Sequence, residues 1–533
     1  MQSDYSNDPD GGPTGDPRGD RCDEPIDLKR GVTLAVYAPF GTDDVLSTYP
    51  DGASNSVASH PLTRNLERVA SFGVNVVALI DRVDDDTWLV QIPAGRPSEI
   101  TFLSQGKQDM VSPHTLANLV ERAYRYDTQA SLVLAVEGHG AGFLPDLDLT
   151  QLTLANVTAQ GAVEWRLDFG LVRPLRGNAG SPDYGLPLIT KGSPVLPVGN
   201  PTSPTNHAAI DTWALGEALR SARAAGVPRV PVVHLDNCFN MAVEVLHTIA
   251  PYAHVATGYC NYNFFTAGEA YPLVFEQLAR AGQATPVQLG RWFAQSNHAV
   301  LQAAGHEPTI AGTVELARMA DIASKVDVLS DALLAALQKS SDADREVYIG
   351  RIRDAIVAAQ QYDSRPDFIL ETPDELTDLD SLAVELMKQD FGPYKVAAAA
   401  DALRSALSGI KQYGDDDSPW MAPGDEWNFG SPDLAMSIFL PDPLLKGLWD
   451  WRSQYYLDVN PDPGKPKVQK HIIDFLNDTD WVDFLKEYHR DAPFVGLLPA
   501  LIPDMPLAVH PEDPRTRRRC GSPAAEPLPG ARR

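Results

Sequence analysis

The stretch Val-Thr-Leu-Ala-Val-Tyr at residues 32–37 is apolar without being long, and its polar positions do not recur at helical spacing. Such a run predicts a strand buried on both faces of a sheet. The pattern returns at 74–80, from Ser131 toward His139, from Val230 to Cys238, and at 254–257. Residues 87–92 read as an additional, antiparallel strand. Between these runs, helical periodicity predicts helices over 61–71, 113–126, 208–224 and from Met241 to His247. Strand alternating with helix is the pattern of a mostly parallel sheet covered by helices, an α/β fold. Beyond residue 312 the texture changes: 321–338, 344–361, 395–413 and 479–487 read as helices, the last capped by Thr479, and 433–440 as a strand.

Glycine, proline and charge mark the divisions. Residues 1–30 are expected to form a disordered tail, 31–312 the α/β domain, 313–508 a mostly helical C-terminal domain, and 509–533 a Pro- and Arg-rich tail. Inside the α/β domain, residues 173–206 carry repeated Gly and Pro and no periodic pattern, which predicts a long loop. A chain of 533 residues exceeds a single core, in keeping with this division. No apolar run approaches the roughly 20 residues of a membrane span. The first ten residues lack the basic and apolar segments of a secretory signal, so a cytoplasmic location is the expectation.

A formal charge of −27 disfavours nucleic acid and anionic membranes as partners and favours encounter with basic substrates; it equally serves solubility. The four cysteines, Cys22, Cys238, Cys260 and Cys520, offer neither a disulfide scaffold nor a metal-ligand spacing.

Two strand ends hold the candidate chemistry. One apolar run leads to Gly138-His139-Gly140-Ala141-Gly142 and the other, ninety-nine residues later, to Asp236-Asn237-Cys238. In open α/β sheets, sites form outside the carboxyl ends of the strands, where His139 and Cys238 would meet. Imidazole beside a thiol is a base for a nucleophile, and a helix starting just after Cys238 would favour the thiolate. Gly140 lets the backbone approach a substrate closely, and the N–H groups of Gly140 and Cys238 are candidate oxyanion donors. His234 is a competing base, but its place within the strand suits packing beside the sheet. Cys260 suits packing as well. A lipase-like reading of the glycine-rich segment requires a Gly-x-Ser-x-Gly elbow, and none occurs; neither a His-Glu-x-x-His zinc helix nor a phosphate-binding P-loop is present.

At these residues the chain resembles the clostripain family of cysteine peptidases, relatives of caspases, gingipains and separase. The segments "TLAVY", "VNVVALIDR" and "VSPHTLANLVERAYRY" are similar to the family's first two strands and the helix before its histidine. "LVLAVEGHGAGF" resembles its His-Gly-x-Gly block, and "VVHLDNCFNMAVEV" its Asp-x-Cys-x-x-x-x-x-Glu block. "ARMADIASKVDVLSDALLAAL", "LAMSIFLP" and "TDWVDFLKEYH" extend the resemblance to about His489.

The resemblance implies a caspase-like α/β/α sandwich with a mostly parallel sheet, followed by the helical C-terminal domain. It implies a cysteine endopeptidase in which His139 is the general base, Cys238 the nucleophile and Gly140 an oxyanion glycine. Asp236 matches the acid under the S1 pocket, which selects Arg or Lys at P1; a carboxylate is a sound selector for either cation. The other reading of Asp236 is a cap on the following helix. The implied partner is thus a protein or peptide with a basic P1 residue. No cofactor follows from the residues, and calcium enters only through the resemblance.

Three positions depart from the family's pattern. Asn237 stands where a small residue is usual, Thr266–Pro272 lacks a tryptophan, and Glu137 replaces a commoner Asp or Trp. These departures keep a second class of function open, a catalytically silent module that binds a partner. The loop at 173–206 joins the two catalytic strands and contains Arg173, Arg176 and Lys191, so an enzyme with basic specificity would find sites for self-cleavage within itself.

Overall fold

The computed structural model describes residues 24–40, 46–47, 56–82, 86–138, 140, 142–146, 210–261, 263–305, 308–362, 376–415, 428–442, 444, 453–457 and 471–491. Residues 1–23 of the expected N-terminal tail, the C-terminal tail, most of the segment between the two candidate strand ends, including 173–206, and His139 itself lie outside the described residues. Residues 24–30, by contrast, do not belong to a disordered tail: Ile26–Asp27 pairs antiparallel with Gln283–Ala284, with Ile26 fully buried.

A nine-stranded mixed sheet organises the molecule. Its centre is five parallel strands in the spatial order Ala253–Tyr259 (β7), Val230–Asp236 (β6), Ser131–Glu137 (β5), Val32–Pro39 (β1) and Asn75–Asp81 (β2). Trp88–Ile92 (β3) and Thr101–Ser104 (β4) extend one side antiparallel. Thr309–Glu315 (β8) and Lys411–Asp415 (β11) do the same on the other. Away from this sheet, Gln361–Tyr362 (β9), Leu376–Asp378 (β10) and Ser437–Phe439 (β12) pair into a small antiparallel one.

Side chains alternate across the sheet as the period of two requires. Ala35 and Tyr37 of β1 join one buried cluster, and Leu34 and Val36 the other. The first cluster is closed by Pro113–Tyr126 (α2) and Thr212–Ala224 (α3). The second is closed by Pro61–Ser71 (α1), Ala270–Ala281 (α5) and Pro286–Gly305 (α6). Two covered faces explain why the central strands read as continuous apolar runs. This is the α/β/α sandwich with a mostly parallel sheet expected from the sequence.

The C-terminal part is mostly helical. It contains Met319–Gln338 (α7), Asp342–Ala358 (α8), Leu379–Met387 (α9), Val396–Leu407 (α10) and Trp481–Tyr488 (α11). Its apolar residues merge with the first cluster of the sheet. The helix read over 395–413 stops at Leu407, because Gly409 takes a φ of 75° and Lys411–Asp415 turns into the edge strand beside β8. Within 433–440, only Ser437–Phe439 pairs as a strand. Among the described residues no helix is long and apolar enough to cross a membrane.

Candidate active site

Strands β5 and β6 are adjacent and parallel, with Glu137 opposite Asp236, so their carboxyl ends deliver the two sequence motifs to one place. His139 is outside the described residues, but Gly140 beyond it packs onto the Cys238 loop. A Cβ on Gly140 would fall far inside contact distance of the Cys238 carbonyl oxygen, 3.0 Å from Asn240 Nδ2 and 3.1 Å from Asn237 Cγ. Only glycine allows this approach. Asn237 now has an account: Asn240 Nδ2 donates to its Oδ1 at 2.8 Å, and the pair forms the wall behind Gly140.

After Cys238 the chain does not enter a helix directly. Phe239 adopts a left-handed φ of 61° while 1% exposed, its N–H donating to Asn261 O. Strain of that kind is held only where surrounding contacts enforce it. Met241 then donates to Tyr259 O, and its own carbonyl accepts from Ser437 N–H of β12. These main-chain groups are committed sideways, so the next helix begins only at Val243 and spans Val243–Ile249 (α4). The expected helix start beside the thiol is therefore displaced by several residues. Glu244, the last residue of the second motif, is fully buried; its Oε1 accepts from Phe439 N–H at 2.8 Å and Tyr456 O–H at 2.9 Å. The C-terminal half thus braces the Cys238 loop from behind.

Cys238 is 7% exposed. Its Sγ lies 3.4 Å from the Asn263 N–H and 3.6 Å from the Asn263 carbonyl, to which the thiol donates. Burial pushes the thiol up to about 12; the Asn263 main chain opposes the rise and the Asp236 charge adds to it. In this conformation the thiol keeps its proton.

Asp236, Glu137 and His234 share the face covered by α5 and α6, as their positions two apart along β6 and opposite in β5 require. Asp236 is 6% exposed and both its oxygens are engaged: Asn263 Nδ2 donates to Oδ1 at 2.7 Å and Tyr271 O–H to Oδ2 at 2.7 Å. Its carboxyl points to these side chains, whereas α4 has Ala242 at its N-cap and no side-chain cap, so Asp236 does not cap that helix. Asn297 Nδ2 completes the chain by donating to Asn263 Oδ1 at 2.8 Å. Burial opposes ionisation of Asp236, but His234 together with hydrogen bonds holds its carboxyl below the ordinary range. Glu137, buried and next to that charge, is pushed well above it.

His234 is completely buried, stacked on Phe293 with ring centroids 4.4 Å apart, and its Nε2 lies 3.6 Å from Asp236 Oδ2. That is the packing role anticipated from its place within the strand. Cys260 is likewise completely buried, its Sγ directed at the carbonyls of Met241 and Ala435.

Asn263, Tyr271 and Asn297 do not stand out in the sequence, since nothing local marks them. Tyr271 lies in the departing Thr266–Pro272 segment, the one signal available. Among the described residues no group of three or more His, Cys, Asp or Glu side chains could hold a metal ion.

No protein-family model matches the chain, and no curated protein does. Among solved structures it is similar to those of C11, or clostripain-family, cysteine proteases. One is an inactive zymogen C11 protease from Parabacteroides distasonis, with 13% identity, a TM-score of 0.47, and 80% of this chain and 96% of that chain covered. Another is a secreted C11 cysteine protease from Bacteroides thetaiotaomicron, with 10% identity, a TM-score of 0.47, and 77% and 93% coverage. A complex of a secreted C11 cysteine protease from Bacteroides thetaiotaomicron with an irreversible peptide inhibitor is similar at 13% identity and a TM-score of 0.45, with 77% and 92% coverage.

Proposed function

We propose that the protein is a cysteine endopeptidase working through an acyl-enzyme, with Cys238 as nucleophile and His139 as general acid and base. The observation that carries this reading is the convergence of the Gly140 backbone on Cys238 at the ends of two adjacent parallel strands, with a buried carboxylate, Asp236, just before the thiol. On this reading a bound peptide displaces the Asn263 contacts and the thiol proton passes to His139. Sulfur attacks the scissile carbonyl carbon, and the N–H groups of Gly140 and Cys238 receive the oxyanion. As the C–N bond breaks, His139 returns the proton to the leaving amine. It then takes a proton from water, which attacks the thioester and restores the thiol. Asp236 is assigned to a basic P1 side chain, which must replace one of the donors now on the carboxylate. Self-cleavage in the 173–206 segment belongs to the same reading.

One observation favours a second reading, a silent module that binds a partner. The Cys238 thiol is buried, protonated and occupied by Asn263. A peptide carrying a thiol-reactive group after a basic residue separates the two. The peptidase reading expects stoichiometric labelling at Cys238 that is lost in Cys238→Ala; an unlabelled, correctly folded wild type would leave the binding reading.

A further inference from the structure

Tyr271 offers one hydrogen to two carboxyl groups. Its hydroxyl oxygen lies 2.6 Å from Glu137 Oε1 and 2.7 Å from Asp236 Oδ2. A phenol donates once, so two bonds of this length require a second proton between the three groups. Glu137 is the carrier, since burial and the neighbouring Asp236 charge both act against its ionisation. The chain therefore runs one way: Glu137 O–H donates to the Tyr271 oxygen, and Tyr271 O–H donates to Asp236. Around it stand His234 on β6, whose Nε2 lies 3.6 Å from Asp236 Oδ2, Tyr259 on β7 and Phe293 on α6.

The two donors on Asp236 are held unequally. Tyr271 is completely buried in the first turn of α5, edge-on to both His234 and Phe293, and gripped by Glu137 on its far side. Asn263 lies in the connection between β7 and α5, outside any helix or strand, and is 9% exposed. It is also the residue whose main chain covers the thiol. A ligand arriving at Cys238 therefore meets Asn263 first. Asp236 is the last residue of β6, two before the nucleophile.

We propose that Tyr271 sets the P1 specificity of this site by withholding Oδ2 of Asp236, so that the carboxylate takes the ammonium of lysine in preference to the guanidinium of arginine. The inference rests on the peptidase reading above. With Asn263 displaced, Oδ1 alone is free. A single oxygen suits the compact, rotatable ammonium, whereas the planar guanidinium gains its advantage from two parallel bonds to both oxygens of a carboxylate. Tyr271, held by Glu137, is thus the specificity-determining residue, and Glu137 is its positioning residue.

The test compares kcat/KM for peptide pairs differing only in lysine or arginine at P1, in wild type and in Tyr271→Phe, with thermal unfolding as the check on folding. Wild type is expected to prefer lysine by about tenfold, the worth of one charge-assisted hydrogen bond. Tyr271→Phe takes the hydroxyl off Oδ2, which then faces His234 Nε2 at 3.6 Å without a hydrogen bond to it, so the arginine peptide gains and the ratio falls to about one or inverts. Should the variant not fold, the wild-type ratio still decides, measured also as inactivation rates of Cys238 by lysine and arginine peptide ketones. Equal rates or an arginine preference in wild type overturns the proposal, as does an unchanged ratio in folded Tyr271→Phe. Cleavage only after neutral or acidic residues removes the basic-P1 assignment on which it stands. Absence of both cleavage and Cys238 labelling removes the peptidase reading itself, a distinct result.

Discussion

The backbone of Gly140 lies against the carbonyl of Cys238 so closely that even a methyl group at Gly140 has no room. The contact joins the ends of β5 and β6 and fixes the spacing between the two motifs. Gly140→Ala must therefore push the loops apart. Its expected effect is a loss of stability of about 1–3 kcal/mol, as for other overpacked sites. Activity should fall more than stability accounts for, because a displacement near 1 Å at the reacting groups is worth about 100-fold. Denaturant unfolding alongside peptide hydrolysis checks both; full activity in Gly140→Ala would mean that this contact does not organise the site.

Replacing either reacting group is expected to abolish turnover. Cys238→Ala and His139→Ala should each lose at least about 10⁴-fold in kcat, and the double variant little more, since the two act as one unit. His234→Ala should behave differently. Removing a fully buried ring stacked on Phe293 costs stability, about 2–4 kcal/mol by analogy with other large-to-small core changes, while substantial activity remains. A folded His234→Ala as inactive as His139→Ala would move the role of the base to His234.

The resting thiol should report its burial through pH. With the thiol pushed up to about 12, the thiolate fraction rises with pH throughout the usable range. The rate of Cys238 alkylation by iodoacetamide, followed on its own peptide by mass spectrometry, is expected to climb about tenfold per pH unit from 6 to 9. A plateau below pH 8 in the free protein would show a thiolate already formed.

Self-cleavage provides a measurement inside the chain. The segment 173–206 contains the bonds Arg176–Gly177 and Lys191–Gly192. Purified wild type is expected to yield new N-termini at Gly192 before Gly177 if lysine is preferred, and Cys238→Ala neither. A wild type that stays intact while fully active separates activity from processing.

Much of the architecture is legible along the chain because the central strands are covered on both faces. Val32–Pro39 and Val230–Asp236 are mostly apolar on both of their faces, as that setting requires. The outer strands are not legible for the opposite reason. Thr101–Ser104 is short and largely exposed, and Lys411–Asp415 finds its partner Thr309–Glu315 about a hundred residues earlier. Cys238 and Asp236 announce themselves because a strand delivers them. Asn263, Tyr271 and Asn297 are collected from a loop and two helices, and only tertiary packing gathers them, Asn263 and Tyr271 on the Asp236 carboxylate and Asn297 on Asn263. Glu137 is visible as an unusual residue, but its purpose depends on a hydroxyl 134 positions away.

The pairing of Lys411–Asp415 with Thr309–Glu315 governs how the gene can be shortened. A protein ended just after Glu315 would present the raw main-chain groups of its last strand to solvent, a template on which a second molecule can add its own strand. It would also strand the Glu244 carboxylate in an apolar interior, without the amide of Phe439 and the hydroxyl of Tyr456 that now satisfy it. Expression of the first 315 residues alone should therefore give inclusion bodies or oligomers. Co-producing the remainder as a separate polypeptide should restore a soluble two-chain particle, because what is missing is a surface and not a covalent link.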